Sequence, residues 1–333
     1  MNQFLVCEYT KTGLSHIGDN GVMNPCEDAV SSLSDRTGRV KVITLSDGCG
    51  RVSHAREGAC IASSIAADIV SSEFDELCEM TPQEREEVIL LEVRRALFRE
   101  ALRLNADISE FSCTLLIAAL RDDGKGMIFH IGDGLIYARS TDGSIRLLSK
   151  YKHKYSNVTS FVTSVRTNCK TEVLENISGF FLSSDGAEPF LMKNNNYYAD
   201  LLVKLSHILP QDRMYSELKA YTVRLTENGM FDDASYITVS ENKYVTDVFT
   251  ELFCRKNSSE WLKKALFGGI DKNTLKKYAE IIVRISESAN GADLRSLTDI
   301  MHTHTPVRTL KRIAPLVRQG IIIKDNGRFY LNR

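Results

Sequence analysis

Val42–Gly50 reads VITLSDGCG, an aliphatic and β-branched run that ends in Ser-Asp-Gly. A run of this length closed by turn residues predicts a buried strand that delivers one carboxylate to the end of a sheet. The pattern recurs along the chain. Phe180–Gly186, FFLSSDG, closes on the same Ser-Asp-Gly, and Met127–Gly134, MIFHIGDG, is a third strand stopping at an Asp-Gly. Three strand ends are thus available to converge as acids.

Asp-Gly is also a common hairpin turn, so each of the five pairs has to be weighed separately. Asp123-Gly124 in RDDGKG and Asp142-Gly143 in STDGSI sit between two short strand-like runs, and plain hairpins are expected there. Asp47-Gly48 and Asp185-Gly186 lead instead towards helix-like stretches, where a two-residue hairpin has no returning strand to join. Chemistry is the favoured reading at those two.

Working outward, Asn2–Tyr9 predicts a first strand, and the glycines and Asn20 of Thr12–Gly21 predict a loop. CEDAVSSLS places Glu27 and Asp28 at the start of a strand-like stretch. Adjacent strand residues face opposite ways, so both reach one site only near a strand end or bulge; surface charge is the plain alternative. Ala55–Phe74 puts Ala59, Ala62, Ala66 and Ile69 on one helical face, small enough for close packing on a sheet. Pro82–Asp107 follows with proline at a helix start, acids in the first turn and an Ile89, Val93, Ala96, Leu97, Leu104 stripe, and should lie antiparallel to the first helix. Strands are then expected at 112–120, 126–132, 135–139, 144–149, 159–165 and 179–184. Helices over Tyr198–Ile208 and Met214–Glu227 precede a last strand, ASYITVS, which follows Asp232 and Asp233. The order suits an α+β fold of two packed antiparallel sheets flanked by helix pairs.

The totals agree with a folded protein. The chain has 333 residues, 43% of them apolar, enough for one large or two ordinary domains. No stretch approaches 18 consecutive apolar residues, and Met1–Thr10 lacks a basic region, an apolar region and a small-residue cleavage site, so a cytoplasmic protein without a membrane partner is expected. The eight cysteines are nowhere closer than 11 residues apart, which excludes a CxxC zinc or redox pair. Charge is unevenly spread. Residues 274–333 hold four Lys and seven Arg against five acids, a net +6, which leaves −7 on the rest of a chain whose total is −1. An acidic front part joined to a basic tail argues for two functional units.

In order, CEDA (26–29), SDGCG (46–50) with EGA (57–59), SCTLL (112–116), HIGDG (130–134), LSSDG (182–186) and DDAS (232–235) resemble the metal-dependent type 2C (PPM) protein serine/threonine phosphatases, especially a bacterial branch. The resemblance covers about residues 10 to 240. It implies a four-layer α-β-β-α sandwich with two Mn²⁺ or Mg²⁺ ions at one end, and a domain of residues 1–242. By that carry-over Asp47 bridges the metals, the Gly48 carbonyl, Asp185 and Asp232 are direct ligands, Glu27 and Asp28 act through water, and Asp133 serves a third metal. The implied reaction is hydrolysis of phosphoserine or phosphothreonine by a metal-activated water. Physical chemistry points the same way: crowded carboxylates raise one another's pKa unless cations neutralise them, and all-oxygen ligands favour Mg²⁺ or Mn²⁺ over zinc. A phosphorylated protein is the implied partner, a cognate Ser/Thr kinase among the candidates.

The chain departs from the family in two places. A phosphate-binding arginine four residues before the acidic pair is replaced by Met23, and no arginine precedes Arg36, which leaves Lys11, His16 or Arg51 to contact phosphate. Where some members have a histidine after the bridging Asp-Gly, this chain has Cys49; His54 is near in sequence and reads equally as a helix cap.

Residues 243–270 read as a helical linker with a Gly268-Gly269 hinge, and 271–333 as a second domain. Helices at Lys276–Ser288, Leu294–His302 and Pro306–Gln319, the last kinked or shortened by Pro315, followed by an Asn-Gly hairpin in GIIIKDNGRFYLN, resemble a winged helix. In a DNA-reading version Arg308, Lys311, Arg312 and Arg318 supply groove and phosphate contacts and Arg328 a wing contact. Docking of a protein is the favoured alternative. Two functions follow for the whole: an active phosphoprotein phosphatase whose tail recruits a substrate, or a catalytically weak regulator of the same fold acting through its tail.

Overall fold

The strand ends that carry the acids belong to two five-stranded sheets. The computed structural model describes residues 4–17, 21–149, 159–187, 204, 208–209, 213, 216, 231–255 and 260–332. Strands β1 (Phe4–Lys11), β2 (Ala29–Ser34) and β3 (Val40–Ser46) precede helices α1 (Ala55–Ser72), α2 (Phe74–Glu79) and α3 (Pro82–Leu104). Then come β4 (Leu115–Arg121), β5 (Gly126–Ile131), β6 (Leu135–Ser140), β7 (Ile145–Leu147), β8 (Cys169–Leu174), β9 (Ile177–Ser183) and β10 (Ala234–Glu241). One sheet has the order β2-β3-β4-β5-β8 and the other β1-β10-β9-β6-β7. Neighbours in the first sheet pair antiparallel throughout, as do β10–β9, β9–β6 and β6–β7 in the second.

The period of two explains why β3, β4 and β5 are apolar on both faces. Val40, Val42, Leu115, Ile117, Ala119, Met127, Phe129 and Ile131 join one core cluster with Ala59, Ala62, Ala66, Val70, Ile89, Val93 and Leu97 of α1 and α3. The alternate residues, such as Ile43, Leu45, Leu116 and Ala118, are equally buried, and β4 and β3 pack on β9 of the other sheet. Small residues let α1 approach: Thr44 Oγ1 donates to the Ser63 carbonyl at 3.0 Å. α3 is fixed at both ends. Thr81 and Glu84 form a reciprocal capping box ahead of Pro82, and Asn105 closes the helix in the left-handed region at φ 55°.

Asp123-Gly124 and Asp142-Gly143 form the β4–β5 and β6–β7 turns, with both glycines at φ 89°. The strand expected at 159–165 is absent. Those residues form turns pinned to the chain before β4, with Val162 N donating to the Cys113 carbonyl at 2.9 Å and the Ser112 and Thr163 hydroxyls 2.7 Å apart. The edge position beside β5 is taken by β8 instead, whose half-buried CKTEVL pattern the sequence reading passes over. The helices expected over 198–208 and 214–227 fall on residues almost all outside those described, so three of the four expected layers are on view.

The chain forms two compact units, one of residues 6–203 and 219–240 and one of 1–5, 204–218 and 241–333. In the second, α4 (Val245–Phe249) runs into a π-helical turn at Thr250–Cys254, followed by α5 (Glu260–Phe267) and α6 (Lys272–Ser286). Phe249, Phe253, Phe267 and Tyr278 form a continuous aromatic cluster that ties these helices to α6. β11 (Ala292–Asp293), α7 (Leu294–Met301), α8 (Pro306–Arg318), β12 (Ile322–Asp325) and β13 (Arg328–Leu331) complete it, with sheet order β11-β13-β12. Asp271, Asp293 and Thr305 cap α6, α7 and α8. Asn326 and Gly327, both at positive φ, make the two-residue turn of the β12–β13 hairpin. α8 continues through Pro315 to Arg318 and is not cut short there.

Candidate metal centre

Asp47 leaves the end of β3, Asp133 lies where the chain crosses from β5 in one sheet to β6 in the other, and Asp185 follows β9. One carboxylate oxygen from each lies within 4.8 Å of the others. Local hydrogen bonds fix each acid. Asp47 N donates to Thr114 Oγ1 at 2.9 Å and its carbonyl accepts from Thr114 N at 2.8 Å, while Ser46 Oγ donates to the Thr114 carbonyl. Gly48 is required: a Cβ there would fall 2.8 Å from the Ala55 carbonyl carbon and 3.0 Å from the Glu27 carbonyl oxygen. Thr159 Oγ1 donates to Asp133 Oδ2 at 2.5 Å, which gives the turn at 159–165 a purpose.

Glu27 and Asp28 immediately precede β2, the strand-end position that lets both face one site. A Cβ on Gly50 would sit 3.1 Å from Glu27 Oε2, so the Glu27 carboxylate lies beside the SDGCG turn. Asp28 is 6% exposed, and neither of its carboxylate oxygens accepts a hydrogen bond. Burial first of all pushes its pKa up to about 7; the nearby Ser235 and Ser184 hydroxyls soften the rise without reaching good hydrogen-bond geometry, and Asp233 and Asp185 add to it. Asp47 is held well above the usual carboxylate range by burial and then by Asp28, Asp185, Asp133 and Asp232. Burial raises Glu27 as well, opposed by His16 and reinforced by Asp233, Asp232 and Glu57.

Asp232 and Asp233 divide their work in a way the sequence reading missed. Asp233 is buried, and its Oδ1 accepts from Gly13 N at 2.7 Å and its Oδ2 from Glu27 N at 2.6 Å, with His16 Nε2 3.2 Å away. It is a strut that holds the loop after β1 and the acidic pair. Asp232 is exposed, is felt electrostatically by both Asp47 and Glu27, and stands outside the tight triad. A Cβ on Gly186 would meet the Asp233 carbonyl oxygen at 1.9 Å, so the Asp185 turn is pressed against this pair. The only signal in the sequence was the doubled aspartate, which does not say which of the two turns inward.

The donor set suits hard divalent cations. Every candidate ligand is oxygen, Asp28 is a buried carboxylate with unsatisfied oxygens, and among the described residues no Lys or Arg pairs with Asp28 or Asp47. His16 is committed to Asp233, whereas Lys11, Arg51 and Met23 are exposed. His54 occupies the N-cap position of α1 without a side-chain cap bond; its ring stacks on Phe111 at 4.9 Å. Burial raises the Cys113 thiol to about 12 and raises Cys26 too, which makes poor nucleophiles of both. In the other unit Arg308, Lys311 and Arg318 are exposed on α8, Arg312 Nη1 donates to the Met301 carbonyl at 3.2 Å, and Arg328 is half-buried in β13.

The family model described as "Protein phosphatase 2C" matches residues 12–221. The chain belongs to the protein phosphatase 2C family. It is 30% identical over 155 residues to Serine/threonine-protein phosphatase 3 of Escherichia coli (strain K12), a stretch covering 45% of this chain and 59% of that relative's length. Among solved structures, a bacterial serine phosphatase superposes with a TM-score of 0.51 at 15% identity, over 71% of this chain and 97% of that one. Serine/threonine phosphatase Stp1 from Staphylococcus aureus gives 0.50 at 15% identity, over 71% and 94%. These two likenesses show the fold. The family match stops short of Asp232 and Asp233, and the basic C-terminal segment lies beyond it. Among the described residues no helix is long and apolar enough to cross a membrane.

Proposed function

We propose that this protein is a metal-dependent phosphoprotein phosphatase acting on phosphoserine and phosphothreonine. The convergence of Asp47, Asp133 and Asp185 from three separate strand ends carries this reading. Asp47, Asp185, Asp232 and the Gly48 carbonyl would hold two Mg²⁺ or Mn²⁺ ions directly. Glu27 and Asp28 would stand one layer out, and Asp133 would serve a third ion. Such ions, when bound, polarise a phosphoryl oxygen and make a water acidic enough to attack at neutral pH. The chain's own residues do the positioning. Thr159 orients Asp133, Thr114 fixes the Asp47 backbone, and Asp233 holds Glu27 in place through its N–H.

The test is phosphate release from p-nitrophenyl phosphate and a phosphothreonine peptide with Mn²⁺. Asp185→Asn should lower the rate roughly 100-fold or more. Equal, negligible rates for wild type and variant across metals would instead support a regulator that keeps the fold without the reaction. That second reading rests on Met23 in place of the phosphate-binding arginine and on the commitment of His16 to Asp233, which leave Lys11 and Arg51 as the remaining candidates for phosphate. In the first reading the basic unit, read as a winged helix, recruits a phosphorylated protein such as a kinase of a bacterial signalling pair. A salt-dependent shift of duplex DNA by the full chain would redirect it to nucleic acid.

A further inference from the structure

α3 carries an apolar seam on its solvent side. Leu91, Phe98 and Leu102 are 55%, 53% and 65% exposed, while Ile89, Val93, Leu97 and Ala101 of the same helix are buried. Positions 91, 95, 98 and 102 step by four, three and four residues, so they line one side of the helix as the seam of a coiled coil does. Single exposed leucines are ordinary, but an aligned set is not. The helix is 23 residues long, boxed at its start and left-handed at its end, and thus a rigid platform. Arg94 ties the segment after residue 159 to α3 through the Val162 and Ser164 carbonyls at 2.7 and 2.8 Å.

The charges beside the seam choose the occupant. Arg95 lies in the seam and pairs within its own helix with Glu92, and Arg99 is exposed one step from Phe98. A second α3 turned antiparallel about the point between residues 96 and 97 sets Leu91 against the partner's Leu102 and Arg95 over the partner's Phe98. Glu92 then approaches the partner's Arg99, and every contact occurs twice. Parallel pairing would set Arg95 on itself, and a foreign acidic helix would satisfy Arg99 at the cost of opposing Glu92. We infer that the exposed face of α3 is a self-association surface on which two copies of this chain pack antiparallel through Leu91, Arg95, Phe98 and Leu102.

The inference stands apart from the phosphatase reading and is tested without it. Sedimentation equilibrium of the full chain between roughly 1 and 100 μM should show a monomer–dimer equilibrium. Phe98→Glu and Leu102→Glu, both on exposed side chains, should each weaken the dimer about 30-fold or more. Arg99→Glu should weaken it about threefold, and adding Glu92→Arg should recover the loss. Unchanged circular dichroism melting of the monomeric variants would confirm that they fold. A wild type that stays monomeric over the whole range, a dimer indifferent to Phe98→Glu and Leu102→Glu, or a double charge reversal no better than the single one would overturn it.

Discussion

Two aspartates one residue apart, chemically identical, do different things because one backbone step turns one inward and the other outward. Asp233 accepts two backbone N–H groups and faces His16, so its charge is consumed in holding the loop that carries Glu27. An asparagine keeps the shape but offers one acceptor oxygen in place of two. Asp233→Asn should therefore lower Mn²⁺ affinity by about 10- to 100-fold without removing a ligand, as measured by isothermal titration. Unchanged affinity would mean that the strut is dispensable. The resemblance names Asp232 as a ligand and assigns Asp233 no role, because the distinction resides in which carboxylate meets Gly13, more than 200 residues away along the chain.

At the scale of elements, legibility followed the strength of the period. β3, β5 and β9 are readable since β5 and β9 are fully buried runs and β3 is buried but for Lys41, each stopped by a turn, and with them come Asp47, Asp133 and Asp185. β8 was not, because an edge strand with half-buried, polar side chains lacks that contrast. Residues 159–165 have the alternation of a strand, yet β8 already occupies the edge beside β5, and the segment is spent instead on holding Asp133 and the chain before β4. α3 is legible from Pro82, the acids of its first turn and its apolar stripe, and the Thr81 cap that the structure adds has a measurable value. Thr81→Ala should cost about 1 kcal/mol and lower the melting temperature by a few degrees, with metal affinity unchanged. A neutral effect would show that packing of α3 on α1 and β8 alone sets its start.

For the whole molecule, acids gathered from distant parts of the chain create a charge problem that the fold does not solve by itself. Asp28 and Asp47 have folded pKa values raised above the unfolded ones, so the folded state binds their protons more tightly. Their contribution to stability is complete below the unfolded carboxylate range and is lost as pH rises through the folded values, near 7 for Asp28. The carboxylates lowered by capping, such as Asp271 and Asp293, are ionised in both states above pH about 5 and add no slope there. Cations bound among the acids would remove the dependence. The measurement that tests this most directly is thermal unfolding at pH 6 and pH 8, in EDTA and in Mn²⁺, for wild type and Asp47→Asn. Wild type should melt lower at pH 8 than at pH 6 in EDTA and be raised most by Mn²⁺ at pH 8, whereas Asp47→Asn should melt higher than wild type in EDTA and respond little to Mn²⁺. A wild type whose melting ignores Mn²⁺ at both pH values, or an Asp47→Asn variant that responds to it as fully as wild type, would contradict a metal centre at these strand ends.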